Sequence, residues 1–216
     1  MKTEKLFSYG FMCIFVGVML SVFQQAVGIN AVLYYAPRIF QDMGMGNPMV
    51  QTVIMGIMNI SFTLVAVFTV EKLGRKPLLV FGSIGMAVGA LGVALTFGNE
   101  ALSTVTMLSI MVYSASFMFS WGPIAWVLIA ELFPNTIRGA AVAIAVAFQW
   151  IFNFIVSSTF VPMFNMHLTP GDDFGHWFTY GLYGVICIVA ALFVWKLVPE
   201  TKGKSLEDMS KLWKKD

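Results

Sequence analysis

The stretch SVFQQAVGINAVLYY, residues 21–35, decides how the chain is read. It lies inside a long apolar run, yet it carries Gln24 and Gln25 side by side, then Gly28, Asn30, Tyr34 and Tyr35. Each buried amide left without a partner costs about 1–3 kcal/mol. A segment that only fills an apolar core has no use for three of them. The polar groups need something to bond.

The composition identifies the solvent. Of 216 residues, 58% are hydrophobic and 11% charged, and the mean hydropathy is +0.81. Soluble domains are about a quarter charged. Six apolar runs, at 7–36, 49–70, 78–98, 102–130, 139–164 and 177–198, reach or approach the roughly 20 residues that cross a bilayer as helix. Barrel strands are about ten residues long and alternate in polarity. The expected fold is therefore an all-α integral membrane protein of six transmembrane helices. Residues 1–198 form the transmembrane unit and 199–216 a polar tail, with no low-complexity linker between them. The first run is no secretory signal, because it continues well past the usual apolar core of 7–15 residues without a small-x-small site.

Basic residues set the expected orientation. With six spans, both termini share a side with connections 71–77 and 131–138. Of the 13 Lys and Arg, only Arg38 falls opposite, which leaves twelve on the shared side. The positive-inside rule then makes both termini cytoplasmic, in a cell (inner) membrane. The net charge of +2 reflects this topology and gives no reason to expect a nucleic acid partner. Cys13 and Cys187 lie within spans and read as small core residues. His167 and His176, near the outer turn, have no ligand set at metal spacing. The sequon Asn59-Ile60-Ser61 lies inside a span. In the tail, Ser205 with Glu207 and Asp208 reads as the start of an amphipathic helix.

Spans one to three and four to six look like a 3+3 inverted repeat, each triad opening with an interrupted helix. The first interruption is Gly28; the other is WGPIAW, 121–126, where Pro123 removes a backbone donor and clashes with the turn before it. Paired interruptions at corresponding positions point to a transport site, because freed backbone groups at membrane depth are tolerated where they line a cavity or pack on protein.

The residues around these breaks are neutral. Gln24, Gln25, Asn30, Asn59, Gln149 and Asn153 both donate and accept hydrogen bonds, as a hydroxyl does. Tyr34, Trp121, Trp126 and Trp150 add flat faces for the C–H side of a ring. Trp177 and Trp195, near span ends, suit an interfacial belt. No carboxylate or cation sits mid-span to balance an ion. A neutral polyhydroxylated solute fits best. Against this, amides in membrane helices also bond helix to helix, and Gly85 with Gly89 forms a small-xxx-small packing pair. At the basic side, Arg75, Glu131 and Arg138 stand at neighbouring helix ends, where pairing and separation could gate access. There is no paired-carboxylate, nucleophile–base or metal set at membrane depth, so neither an enzyme nor a cofactor is expected.

QQAVGINAVLYYAP, LGRKP, WGPIAWVLIAELFPNTIRG and the terminal PETKG resemble the sugar porter family of the major facilitator superfamily, in particular its bacterial D-xylose–proton symporters. The resemblance covers essentially the whole chain and matches spans seven to twelve of that twelve-span family. It implies that Gln24, Gln25, Asn30, Tyr34, Asn59, Trp126, Gln149 and Trp150 contact a monosaccharide. It implies that Arg75, Glu131 and Arg138 form a cytoplasmic charge network. It also implies a partner, an N-terminal six-helix half that carries the symporters' proton-coupling aspartate. The competing reading is a membrane sensor half that binds sugar without moving it, or a truncated, non-functional transporter.

Overall fold

Two glycines set the corners from which the helices are laid out. The computed structural model describes residues 9–42, 47–169, 173–204 and 206–213. Lys2, Lys5, Ser205, Lys214 and Lys215 lie outside the described residues, as does the side chain of Arg38. Among the described residues there are nine α-helices, one short 3-10 turn and no strand. Span one is α1 (Phe11–Ala26) followed by α2 (Ile29–Asp42). Between them Gly28 takes φ 86°, a left-handed conformation that glycine alone adopts freely. Span two is α3 (Pro48–Leu73), opened by Asn47, whose side chain accepts from the Met49 N–H. Gly74, at φ 92°, turns the chain directly into span three, α4 (Arg75–Thr96). The apolar runs had suggested ends at 70 and 78, but the helices run through Glu71, Lys72, Arg75 and Lys76. These are good helix formers, and only Gly74 interrupts them.

Span four is α5 (Ser103–Phe119) and α6 (Trp121–Leu132), followed by span five, α7 (Arg138–Phe164), and span six, α8 (Phe174–Leu197). The second interruption falls at Ser120, with φ −134° and ψ −86°. It therefore precedes WGPIAW rather than lying within it. Pro123 has no N–H for the Phe119 carbonyl, so the α5 ladder ends there. Pro123 then sits in the first turn of α6, where a missing donor costs nothing. A short α9 (Leu206–Trp213) follows the spans. Its Met209 is buried and its Trp213 Nε1 donates to the Leu132 carbonyl at 3.1 Å, which docks the tail under the end of α6.

The helix pairings follow the expected internal symmetry unevenly. Exchanging spans one, two and three with four, five and six carries the α1–α7 pairing onto α5–α3, whereas the extensive α4–α5 seam maps onto a much slighter α8–α1 contact. The α4–α8 pairing maps onto itself. The breaks follow too, since α1 has 16 residues before its break and α5 has 17. Span one starts at the end of the bundle where span four finishes: the Tyr9 hydroxyl lies 3.0 Å from Thr136 Oγ1. The triads are therefore inverted. At the α4–α5 seam a Cβ on Gly89 would lie 2.6 Å from the Tyr113 nitrogen, which is the close packing expected of Gly85 and Gly89.

Outside this core the surface is apolar. Ile57, Ile60 and Phe68 of α3, and Ile151 and Phe154 of α7, are all exposed. In water such a surface would aggregate; facing acyl chains it costs nothing. All six spans are long and apolar enough to cross a membrane, as the sequence indicated.

Candidate functional site

The site begins where α1 runs out of helix. Gln24 and Gln25 occupy its last turn and are buried, and Asn30 stands in the first turn of α2, across the Gly28 break. Gln149 and Asn153, four residues apart, project from one face of α7, which packs along α1. The five amides join into one network. Gln25 Nε2 donates to Gln24 Oε1 at 2.5 Å, and Gln149 Nε2 donates to the same oxygen at 2.9 Å. Asn30 Nδ2 and Asn153 Nδ2 both donate to Gln25 Oε1, at 2.6 and 2.9 Å. Two acceptor oxygens thus carry four bonds. Gln149 Oε1, by contrast, is buried with no hydrogen-bond partner among the described residues. The network has an open acceptor.

The other expected contacts lie differently. Asn59, on α3, accepts from Ser114 Oγ of α5 at 2.7 Å and lines a recess with Ile60, Thr63, Leu64 and Met118. Trp126, Trp150 and Tyr34 are exposed, at 43%, 63% and 60%, so their rings are free to meet something beyond this chain. Trp121 is not such a face. It is wholly buried, and its Nε1 donates to Ser83 Oγ at 2.7 Å and to the Leu79 carbonyl at 3.2 Å, which ties the start of α6 to α4. The sequence grouped it with the ring-binding aromatics because an indole beside a break carries no sign of which way it points.

At the opposite end of α6 lies a charged cluster. The buried Arg75 guanidinium forks onto Glu131, Nε to Oε2 at 3.2 Å and Nη2 to Oε1 at 2.9 Å. Nη2 also reaches Glu71 at 3.0 Å, and Thr201 Oγ1 donates to Glu131 Oε2 at 2.6 Å. Glu200 closes the corner, accepting from the Arg75 and Lys76 backbone N–H groups at 3.1 and 3.0 Å. A carboxylate there satisfies two orphan donors and faces the positive end of the helix dipole. A Cβ on Gly74 would meet Glu200 Oε2 at 2.7 Å, so the corner needs glycine for approach as well as for φ. Arg138 takes another partner: its Nε and Nη2 donate to the Phe133 carbonyl at 3.1 and 2.9 Å. It braces its own loop and does not meet Glu131 directly. The roles of Glu71, Glu200 and Thr201 went unread in the sequence. The one signal was PETKG itself, an acid placed just after a span end on the side of LGRKP.

The sugar (and other) transporter family matches residues 1–213. The chain is 49% identical over 211 residues to the D-xylose-proton symporter of Escherichia coli, covering 97% of this chain and 43% of that protein. It is 40% identical to the glucose facilitated diffusion protein of Zymomonas mobilis (97% and 44% covered) and to the arabinose-proton symporter of Bacillus subtilis (92% and 42%). Among solved structures, a double-tryptophan XylE mutant superposes with a TM-score of 0.88 at 49% identity, over 95% of this chain and 44% of that one. XylE bound to 6-bromo-6-deoxy-D-glucose gives a TM-score of 0.83, also at 49% identity, over 93% and 42%. The chain spans less than half the length of these relatives, which are transporters and not enzymes. With six spans, paired breaks and these matches, the chain belongs to the sugar (and other) transporter family, among the sugar porters of the major facilitator superfamily.

Proposed function

We propose that the chain is the sugar-binding C-terminal half of a monosaccharide transporter, with D-xylose or a related sugar as substrate. The observation that carries this reading is the five-amide network at the span-one break, with Gln149 Oε1 buried and without a partner among the described residues. Other buried polar atoms, the Tyr180 and Tyr183 hydroxyls included, also lack a partner among the described residues, but Gln149 Oε1 stands within the amide network at the break, and a stranded buried acceptor costs about 1–3 kcal/mol. A sugar hydroxyl donating to Gln149 Oε1 removes that cost. Gln24, Gln25 and Asn30 hold the remaining hydroxyls. Trp126 packs the ring face, and Tyr34, Asn59 and Trp150 complete the lining. The 49% identity to a D-xylose-proton symporter supports a pentose.

Transport in this class rocks two six-span halves about a site between them. The partner is accordingly a second six-helix half facing the exposed Trp126, Trp150 and Tyr34. Residues 1–198 act as one six-helix unit, with 199–216 as a cytoplasmic tail. The twelve-to-one bias of Lys and Arg supports an inner-membrane orientation with both termini and the charged cluster in the cytoplasm. In that orientation Arg75 and Glu131, with Arg138 bracing the adjacent loop, latch the cytoplasmic side. The test is displacement of labelled xylose from the assembled transporter carrying Gln24→Ala or Trp126→Ala. Each variant is expected to weaken sugar binding about three- to tenfold, the effect of one lost hydrogen bond or its packing equivalent. Wild-type affinity in both would overturn the assignment.

A further inference from the structure

Around Gly28 the backbone hydrogen bonds of span one depart from a regular helix ladder. The Val27 N–H returns to the Phe23 carbonyl at 3.2 Å and the Gly28 N–H to the Gln25 carbonyl at 2.9 Å. The Val27 carbonyl is met from the other triad, where the Tyr113 hydroxyl of α5 donates to it. Tyr113 is wholly buried, and its backbone is pressed against Gly89 of α4. On the other side of the break lies the Tyr183 ring of α8; a Cβ on Gly28 would come 2.5 Å from its Cε2. The hydroxyls of Tyr180 and Tyr183 are themselves buried without a hydrogen-bond partner among the described residues. Burial in this core does not by itself give a tyrosine a bond. That of Tyr113 is placed.

We infer that Tyr113 is a positioning residue for the sugar site, an inference that rests on the proposed function. The Asn30-to-Gln25 bond closes across the break, and Asn153 joins at the same Gln25 oxygen. The angle between α1 and α2 sets whether those three groups meet, and the Tyr113 strut fixes that angle by holding the Val27 carbonyl. It touches no sugar. Seven residues further along, α5 ends at the second break, Ser120, so one helix ties both interruptions together.

Tyr113→Phe keeps the ring and removes the strut, and Tyr180→Phe removes a hydroxyl with no hydrogen-bond partner among the described residues. Both are read in the assembled transporter as sugar KM and maximal rate, beside Gln25→Ala. Tyr113→Phe is expected to raise sugar KM roughly three- to tenfold, and Tyr180→Phe to change it less than about twofold. Combined with Asn30→Ala, Tyr113→Phe should add little further loss, because the group it positions is already gone. Additive losses, or wild-type KM in Tyr113→Phe while Gln25→Ala loses sugar, would overturn the inference and leave the sugar site standing. Wild-type KM in Gln25→Ala as well would remove the sugar-site reading, and the inference with it.

Discussion

At Gln149 the two ends of the amide are treated differently. Its Nε2 is bonded to Gln24, but its Oε1 is buried with no partner among the described residues. Methionine of similar length would remove the stranded acceptor and still fill the space. Gln149→Met is therefore expected to keep or slightly raise thermal stability while weakening sugar binding about three- to tenfold. Melting and binding measured on the same preparation check this; a lower melting point with intact binding would mark Gln149 as helix glue. Gly28 is constrained from the opposite direction. Its φ of 86° and the adjacent Tyr183 ring leave no room for a methyl, so Gly28→Ala should destabilise the protein by about 1–3 kcal/mol. Unchanged melting would show that the break relaxes at no cost.

At the scale of elements, the spans and their breaks were legible because lipid imposes length and apolarity on every crossing helix, and glycine and proline interrupt the pattern visibly. Gln24, Gln25, Asn30 and Gln149 stood out for the same reason, as polar residues in apolar runs. Side-chain direction was not legible. Trp121 and Trp126 share a motif, yet one is wholly buried against Ser83 and the other is exposed. Arg138 looked like a partner for Glu131, but the Phe133 carbonyl lies in its reach, and Arg75 from the neighbouring connection makes the fork instead. The charged end therefore divides into a seam and a brace. Glu131→Gln removes the charge and one acceptor oxygen from the fork on the buried Arg75, which keeps Glu71, and so weakens the seam between α4 and α6 by about 1–3 kcal/mol. In the assembled transporter it should open the charged end, raising the labelling of cysteines introduced there. Arg138→Ala leaves the fork intact and should change that labelling less. Equal labelling in both variants would contradict the division.

For the whole molecule, two inverted triads enclose an amide network at one break and leave Trp126, Trp150 and Tyr34 exposed. Six spans of this kind are expected to insert alone but to move no sugar, because alternating access needs a second half to rock against. The most direct test is uptake of labelled xylose in transport-deficient cells expressing this chain alone, with a compatible N-terminal six-helix half, or with that half and Gln24→Ala. No uptake is expected from the chain alone, clear uptake with the half supplied, and a several-fold loss with Gln24→Ala. Uptake by the chain alone, or full uptake with Gln24→Ala, would contradict the account.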